Sequence, residues 1–395
     1  MTTLEMGGHL RTGAPTWGYV GTYAPKGQGI YRFAVDAATG ALQSGVLIAP
    51  TPNASWIAFD SAREFLYAVN EVTDFDGGDT GSVSAFAVNA SNGELTLVNT
   101  VSSGGGAPVH LSVHPGGRFV LVANYADGKV AVLPIRADGS LAQASDIMSD
   151  AEACGAARPH DADGAAMAPP GSFARSDHDG PHAHMIASDT SGDFVVVNDL
   201  GLDRTVTWRF DDLEGKLSQP ATVASSARAA PRHFVFHPNG KWFYSINEEA
   251  STIAFVAFDA ASGTLVPQAE VSTLPEGFVG TSFGSEILLS PDARTLYGVN
   301  RLHDSIAIFS IDTDGRPKWV GSEWTRGSYP RSACFEPGGR FLYVCNQRSD
   351  NVAIFRVAAE GTLEFTGQFA AVGAPAVIAF LGSGTGQDIA RSNTP

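Results

Sequence analysis

Six asparagines, Asn70, Asn124, Asn198, Asn247, Asn300 and Asn346, each close an apolar run, and polar side chains recur at fixed distances from them. Fourteen residues ahead stand Trp56, His110, His184, His233, Glu286 and Ser332. One residue behind stand Glu71, Tyr125, Asp199, Glu248, Arg301 and Gln347, and fifteen ahead stand Arg232 and Arg331. Imidazoles, carboxylates and guanidinium groups can hold an anion through bidentate arginine contacts and can move protons. Adding water to an ester or lactone needs a base for the water and a cation near the developing oxyanion. Moving a proton beside a carboxylate needs the same groups. No Gly-rich phosphate loop, nucleophile elbow or metal-ligand spacing occurs, so neither cofactor nor metal is expected.

A single strand histidine is commonly a hydrogen-bonded structural residue, and a single arginine is commonly solvated or paired. That reading stands beside the functional one for His110 and His233. Glu71 and Asp199 could touch a substrate or pair with the arginines. The anchor asparagines read as strand-end caps, and His114 and His237 as parts of the turns they precede. The level shared by ionisable groups far apart in sequence favours a site, because such clusters are costly unless they bind or catalyse something.

What would bring these residues together is a repeat of about fifty residues. A turn lies nine residues ahead of each asparagine, with Pro115, Pro238, Pro291 and Pro337 in four copies and Ser61 or Asp189 in the others. A third strand follows the asparagine and ends in a second turn, at Gly40, Gly93, Gly139, Gly215, Gly263, Gly315 and Gly361. Seven such turns imply seven units of about four short strands, with no helix. The first unit, from Gly18, lacks its opening hairpin, and Pro375 to Phe380 reads as the missing strand. Joining the ends would close an all-β, seven-bladed β-propeller over residues 18–381, with tails at 1–17 and 382–395. Equivalent positions would then ring one mouth of the central channel. An insertion at about 145–180 carries His160, Asp161, Asp163, Asp177, His178 and Asp179; its irregular spacing reads as an acidic loop over one face rather than a metal site.

Composition narrows the partners. A net charge of -16 and a pI of about 4.9 argue against nucleic acid and anionic membranes. Three sparse cysteines and a polar N-terminus without a signal-peptide core point to a cytoplasmic protein, a monomer or weak homo-oligomer.

Several segments are specific: Gly21-Thr-Tyr23, His110-Leu-Ser-Val-His-Pro115, Pro181-His-Ala-His184, Asn198-Asp-Leu-Gly-Leu-Asp-Arg204, Pro231-Arg-His233, Asn247-Glu248, Asn300-Arg301 and Tyr329-Pro-Arg331. Over about Gly18 to Phe380 the chain resembles the seven-bladed lactonase family, which contains propeller-type 6-phosphogluconolactonases and fungal carboxy-muconate cyclases. The resemblance implies His184, Arg232, Glu248 and Arg301 as the catalytic set. His110, Asp199, His233, Glu71, Tyr125, Glu286, Arg331 and Gln347 would then be substrate contacts. It implies hydrolysis of an acidic sugar lactone such as 6-phosphogluconolactone, with Glu248 or His184 activating water. A muconolactone-type cycloisomerase and a non-catalytic sugar-acid or protein-binding propeller are the alternatives. The insertion departs from the family pattern and bears on substrate access.

Overall fold

The computed structural model describes residues 16–155 and 163–382. Its strands form seven four-stranded antiparallel sheets, each an unbroken meander. The sheet called blade 1 runs Pro375–Leu381, Thr16–Thr22, Gly29–Val35 and Leu42–Pro50, so the two chain ends share one sheet. Trp17 faces Leu381 and Val20 faces Ile378 across that seam. The propeller thus begins at Thr16 rather than Gly18, because the seam strand uses Thr16 and Trp17 to pair with Val35 and Ala34. Blades 2 to 7 follow in order, and their innermost strands are Ile57–Phe59, Pro108–Val113, Ala183–Ser188, Pro231–Phe236, Phe283–Leu289 and Pro330–Phe335.

Burial follows position in the blade. Second strands such as Phe119–Asn124 and Phe341–Asn346 are buried throughout, which their near-continuous apolar sequences permit. Outer strands such as Lys216–Ala224 are mostly exposed and polar, and their pairing is interrupted by bulges that blunt the open edge. The expectation of no helix is corrected by two short turns, Asp150–Ala153 and a 3-10 turn at Phe75–Gly77; both lie in connections outside the repeat.

The second-turn glycines hold the ring together as well as reversing the chain. All seven have positive φ, which a side chain would strain. Five of their carbonyls accept a bond from a tyrosine three residues before a neighbouring blade's anchor: Tyr19 to Gly93, Tyr67 to Gly139, Tyr244 to Gly315, Tyr297 to Gly361 and Tyr343 to Gly40. Blades 3 and 4 carry Leu121 and Val196 there, on either side of the insertion. The anchor asparagines are structural, as expected: Asn124, Asn300 and Asn346 donate to the carbonyls of Ser103, Thr273 and Thr325, where the chain arrives from the preceding blade. His114 and His237 each cap their own turn and reach the next blade, at the carbonyls of Gly192 and Ala293.

Candidate active site

The innermost strands of blades 3, 4, 5 and 7 each carry a bulge where Val109, His184, Arg232 and Arg331 stand. The extra residue breaks the pleat, so Arg232 and His233 can both serve the channel although they are consecutive. Blade 4 corrects one assignment. Ala183 pairs with Asp199 as Pro231 pairs with Asn247, and Met185 pairs with Asn198 as His233 pairs with Ile246. The anchor of blade 4 is therefore Asp199, and Asn198 is one residue early. His184 accordingly belongs with Arg232 and Arg331, not with His110 and His233. The proline-free turn at Asp189 hid this shift.

Asp199 does not join the site. It is fully buried and caps the chain by accepting from the peptide nitrogens of His182 at 2.9 Å and Leu202 at 2.8 Å. Its neighbour there is the equally buried Asp150. Burial and the charge of Asp199 hold Asp150 well above the usual carboxyl range, while burial pushes Asp199 up to about 6.

The four residues implied by the resemblance do meet at one mouth. Glu248 Oε2 lies 3.1 Å from Arg232 Nε and 2.5 Å from Arg301 Nη2, and its Oε1 accepts from Ser176 Oγ at 3.0 Å. Burial alone would raise the Glu248 pKa, but the Arg301 and Arg232 guanidinium groups outweigh it and hold the carboxyl below its ordinary value. Arg232 also donates to the Ser285 carbonyl, and Arg301 to the Gly284 carbonyl. His184 is nearly buried, and its Nδ1 has no hydrogen-bond partner among the described residues. Desolvation first, then the Arg232 and His233 charges, hold its pKa well below the ordinary imidazole value. Its ring centroid lies 5.1 Å from that of His233 and 5.7 Å from that of Tyr125.

Around this group stand Glu71, 3.9 Å from Arg331, and Tyr125, whose hydroxyl donates to Asp177 at 2.8 Å; Gln347 is half-buried on blade 7. His110, His233 and Glu286 lie one level deeper, as a floor. Trp56 packs on His110 at 4.5 Å, and His233 Nδ1 lies 2.9 Å from Glu286 Oε1. Burial pushes Glu286 up to about 8 and holds His233 well below its usual value, so the pair is neutral near pH 7. Beneath the floor, a cavity of about 630 Å³, lined by Trp56, His110, Met185 and Glu286, reaches the hairpin prolines at the opposite mouth.

Sequence reasoning missed Tyr23, Tyr329, His182 and Ser176 as members of this site. Tyr23 follows Thr22, which replaces the anchor asparagine in blade 1; its hydroxyl donates to Glu71 Oε2 at 2.5 Å. Counting from Thr22 would have found it. Tyr329 and His182 occupy one equivalent position in blades 7 and 4, where Tyr329 meets Arg301 and His182 stacks on Tyr125 at 4.6 Å. Ser176 had no periodic signal, because it lies in the insertion.

Residues 163–180 form a strap across this mouth. Glu249 fastens it by accepting from the peptide nitrogens of Ala165 and Ser176, and Gly280 fastens it by donating to the Pro170 carbonyl. His178, with its side chain almost fully buried, lies 3.2 Å from Asp203. The expected loop over one face is present; Asp177 is exposed but bonded to Tyr125, whereas His178 is bonded and largely removed from solvent. His160 and Asp161 lie outside the described residues. Among the described residues no group of three His, Cys, Asp or Glu side chains could hold a metal ion, and no helix is long and apolar enough to cross a membrane.

A seven-bladed propeller with arginines, a carboxylate and a neutral histidine at one channel mouth defines a class of protein, and the comparisons narrow it. The family described as lactonase, 7-bladed beta-propeller matches residues 17–380, and the chain belongs to it. It is 33% identical to a 6-phosphogluconolactonase of Bacillus subtilis (strain 168) over 321 residues, 81% of this chain and 84% of that one. The periplasmic gluconolactonase of Pseudomonas aeruginosa superposes with a TM-score of 0.82 at 28% identity, covering 93% of this chain and 99% of that one. A Lactobacillus plantarum protein superposes with a TM-score of 0.80 at 27% identity, covering 93% and 99%.

Proposed function

We propose that the protein hydrolyses an acidic sugar lactone, with 6-phosphogluconolactone opened to 6-phosphogluconate as the leading substrate. The observation that carries this reading is the division of labour at the mouth: an ionised Glu248 clamped between two arginines, beside a neutral His184 with an uncommitted ring nitrogen. A carboxylate so engaged is a weak base, whereas a neutral imidazole can take a proton. His184 is therefore the base, which chooses between the two candidates left open by the sequence. Glu248 holds the guanidinium groups of Arg232 and Arg301 together.

In this scheme a water oxygen adds to the lactone carbonyl carbon as its proton passes to His184. The carbonyl oxygen gains negative charge near the arginines, where the buried Nε of Arg301 has no hydrogen-bond partner among the described residues. The bond from the carbonyl carbon to the ring oxygen then breaks, and the His184 proton passes to the departing alkoxide. The product is an open-chain acid, which ionises in solution. The names of the relatives favour hydrolysis over cycloisomerisation. The sparse, odd set of three cysteines favours a reducing, cytoplasmic compartment.

The test is proton release from 6-phosphogluconolactone and glucono-lactone, corrected for spontaneous opening. Turnover well above that background on at least one is expected. Background rates on both would overturn the proposal.

A further inference from the structure

We infer that Arg348 on the rim of blade 7 is the residue that selects a phosphorylated over an unphosphorylated substrate, by holding the substrate's phosphate through its guanidinium group. The inference rests on the sugar-lactone reading of the site. Its test, however, is read by binding and does not require turnover.

Arg348 is exposed, yet its position is defined. Its guanidinium carbon lies 3.7 Å from the centroid of the Tyr329 ring, and that of Arg301 lies 5.2 Å from the same centroid. Arg301 Nη1 is also 3.4 Å from the Tyr329 hydroxyl. One aromatic ring therefore carries a cation belonging to the catalytic group and a second cation facing solvent. The platform is fixed: the Tyr329 peptide nitrogen donates to Asp304 at 2.8 Å, and those of Gln347 and Arg348 donate to the carbonyls of Tyr329 and Ser328. Stacking holds the plane of an arginine and leaves its N–H edge free, the arrangement that suits bidentate contact with phosphate.

The surrounding charges favour an anion there. Other cations on this side have carboxylate partners: Lys26 pairs with Asp350 at 2.7 Å and Arg326 with Glu323 at 2.5 Å. Arg348 has none among the described residues. With it, four guanidinium groups (Arg232, Arg301, Arg331 and Arg348) stand against the carboxylates Glu248, Glu71 and Asp304, so this side carries an excess of one positive charge on a chain of net charge -16. A phosphomonoester near neutral pH carries up to about two negative charges. The opposite side of the mouth carries Asp177 on Tyr125. A substrate with its lactone carbonyl at His184 on blade 4 would therefore direct its phosphate toward blade 7.

The experiment compares calorimetric binding of 6-phosphogluconate and gluconate, which differ in the phosphate alone, to wild type, Arg348→Ala, Arg348→Lys and Lys241→Ala. Lys241 lies in a hairpin turn at the far mouth and controls for loss of one positive charge. Wild type is expected to prefer 6-phosphogluconate by at least about tenfold, the scale of one charge-assisted contact. Arg348→Ala should remove most of that preference, Arg348→Lys should keep part of it, and Lys241→Ala should keep all of it. A wild type that binds the two ligands equally, or an Arg348→Ala variant that retains the full preference, overturns the inference. Failure of the hydrolytic reading would appear separately, as background rates on both lactones with the binding preference intact.

Discussion

His184 and Glu248 occupy one polar pocket and are driven to opposite charge states by different forces. Desolvation and the Arg232 cation keep the imidazole neutral, while two guanidinium groups overcome desolvation and keep the carboxyl ionised. A base works only unprotonated, and His184 stays unprotonated below its ordinary value of 6.5. The kcat/KM profile should accordingly run flat through pH 6.5 and bend downward well below it. Replacing Arg232 by Gln removes a cation that depresses His184, so the acid limb of the residual activity should move up toward 6.5; an unmoved limb would contradict the assignment. His184→Asn should lose on the order of 10²–10⁴ in kcat/KM, the usual contribution of a general base. Glu248→Gln should lose activity while leaving the acid limb where His184 sets it. Most of the residues tested here were legible from spacing alone, since equivalent places in a repeat become neighbours at a channel. Their levels were less legible. Asn198 imitates an anchor that is really Asp199, and only pairing across the sheet exposes the one-residue shift.

The strap and the tyrosine latches are elements that the repeat reveals poorly. Residues 163–180 have no period, and their attachment points, Glu249 and Asp203, look like ordinary loop acids until the fold brings them together. Ser176 ties the strap to the candidate site by donating to Glu248. A hydrogen bond to a charged group contributes about 1.5–3 kcal/mol. Ser176→Ala should thus lower kcat/KM roughly tenfold with little change in Tm, measured by lactone assay and calorimetry; full activity would reduce the strap to a cover. The latches act on stability instead. Tyr343 is fully buried and donates to Gly40 of blade 1, next to the seam. Tyr343→Phe leaves that carbonyl without this bond and should destabilise the fold by about 1–3 kcal/mol in denaturant unfolding, with activity at moderate temperature retained.

At the scale of the whole molecule, closure was the most legible feature, because an incomplete first unit and an orphan final strand complete each other. The floor of the channel was not, since its chemistry depends on burial that only the assembled ring creates. That burial makes stability depend on pH in two directions. His110, His184 and His233 are held well below 6.5, so their stabilising neutral state is fully present above 6.5 and is lost as pH falls below it. Glu286 goes the other way. With a folded value of about 8, it keeps its proton in the folded chain after the unfolded chain has released it near its ordinary 4.5, so stability falls as pH rises toward 8. Asp150 and His178, both shifted upward, act in the same direction. By about pH 7.5 the three depressed histidines are neutral in the unfolded chain as well and no longer contribute, so Tm should decline from there toward pH 8 in wild type. Glu286→Gln keeps the shape of the floor but removes one titrating proton, so its Tm should decline less steeply over the same interval. Equal slopes for the two proteins would mean that Glu286 is already ionised in the folded ring.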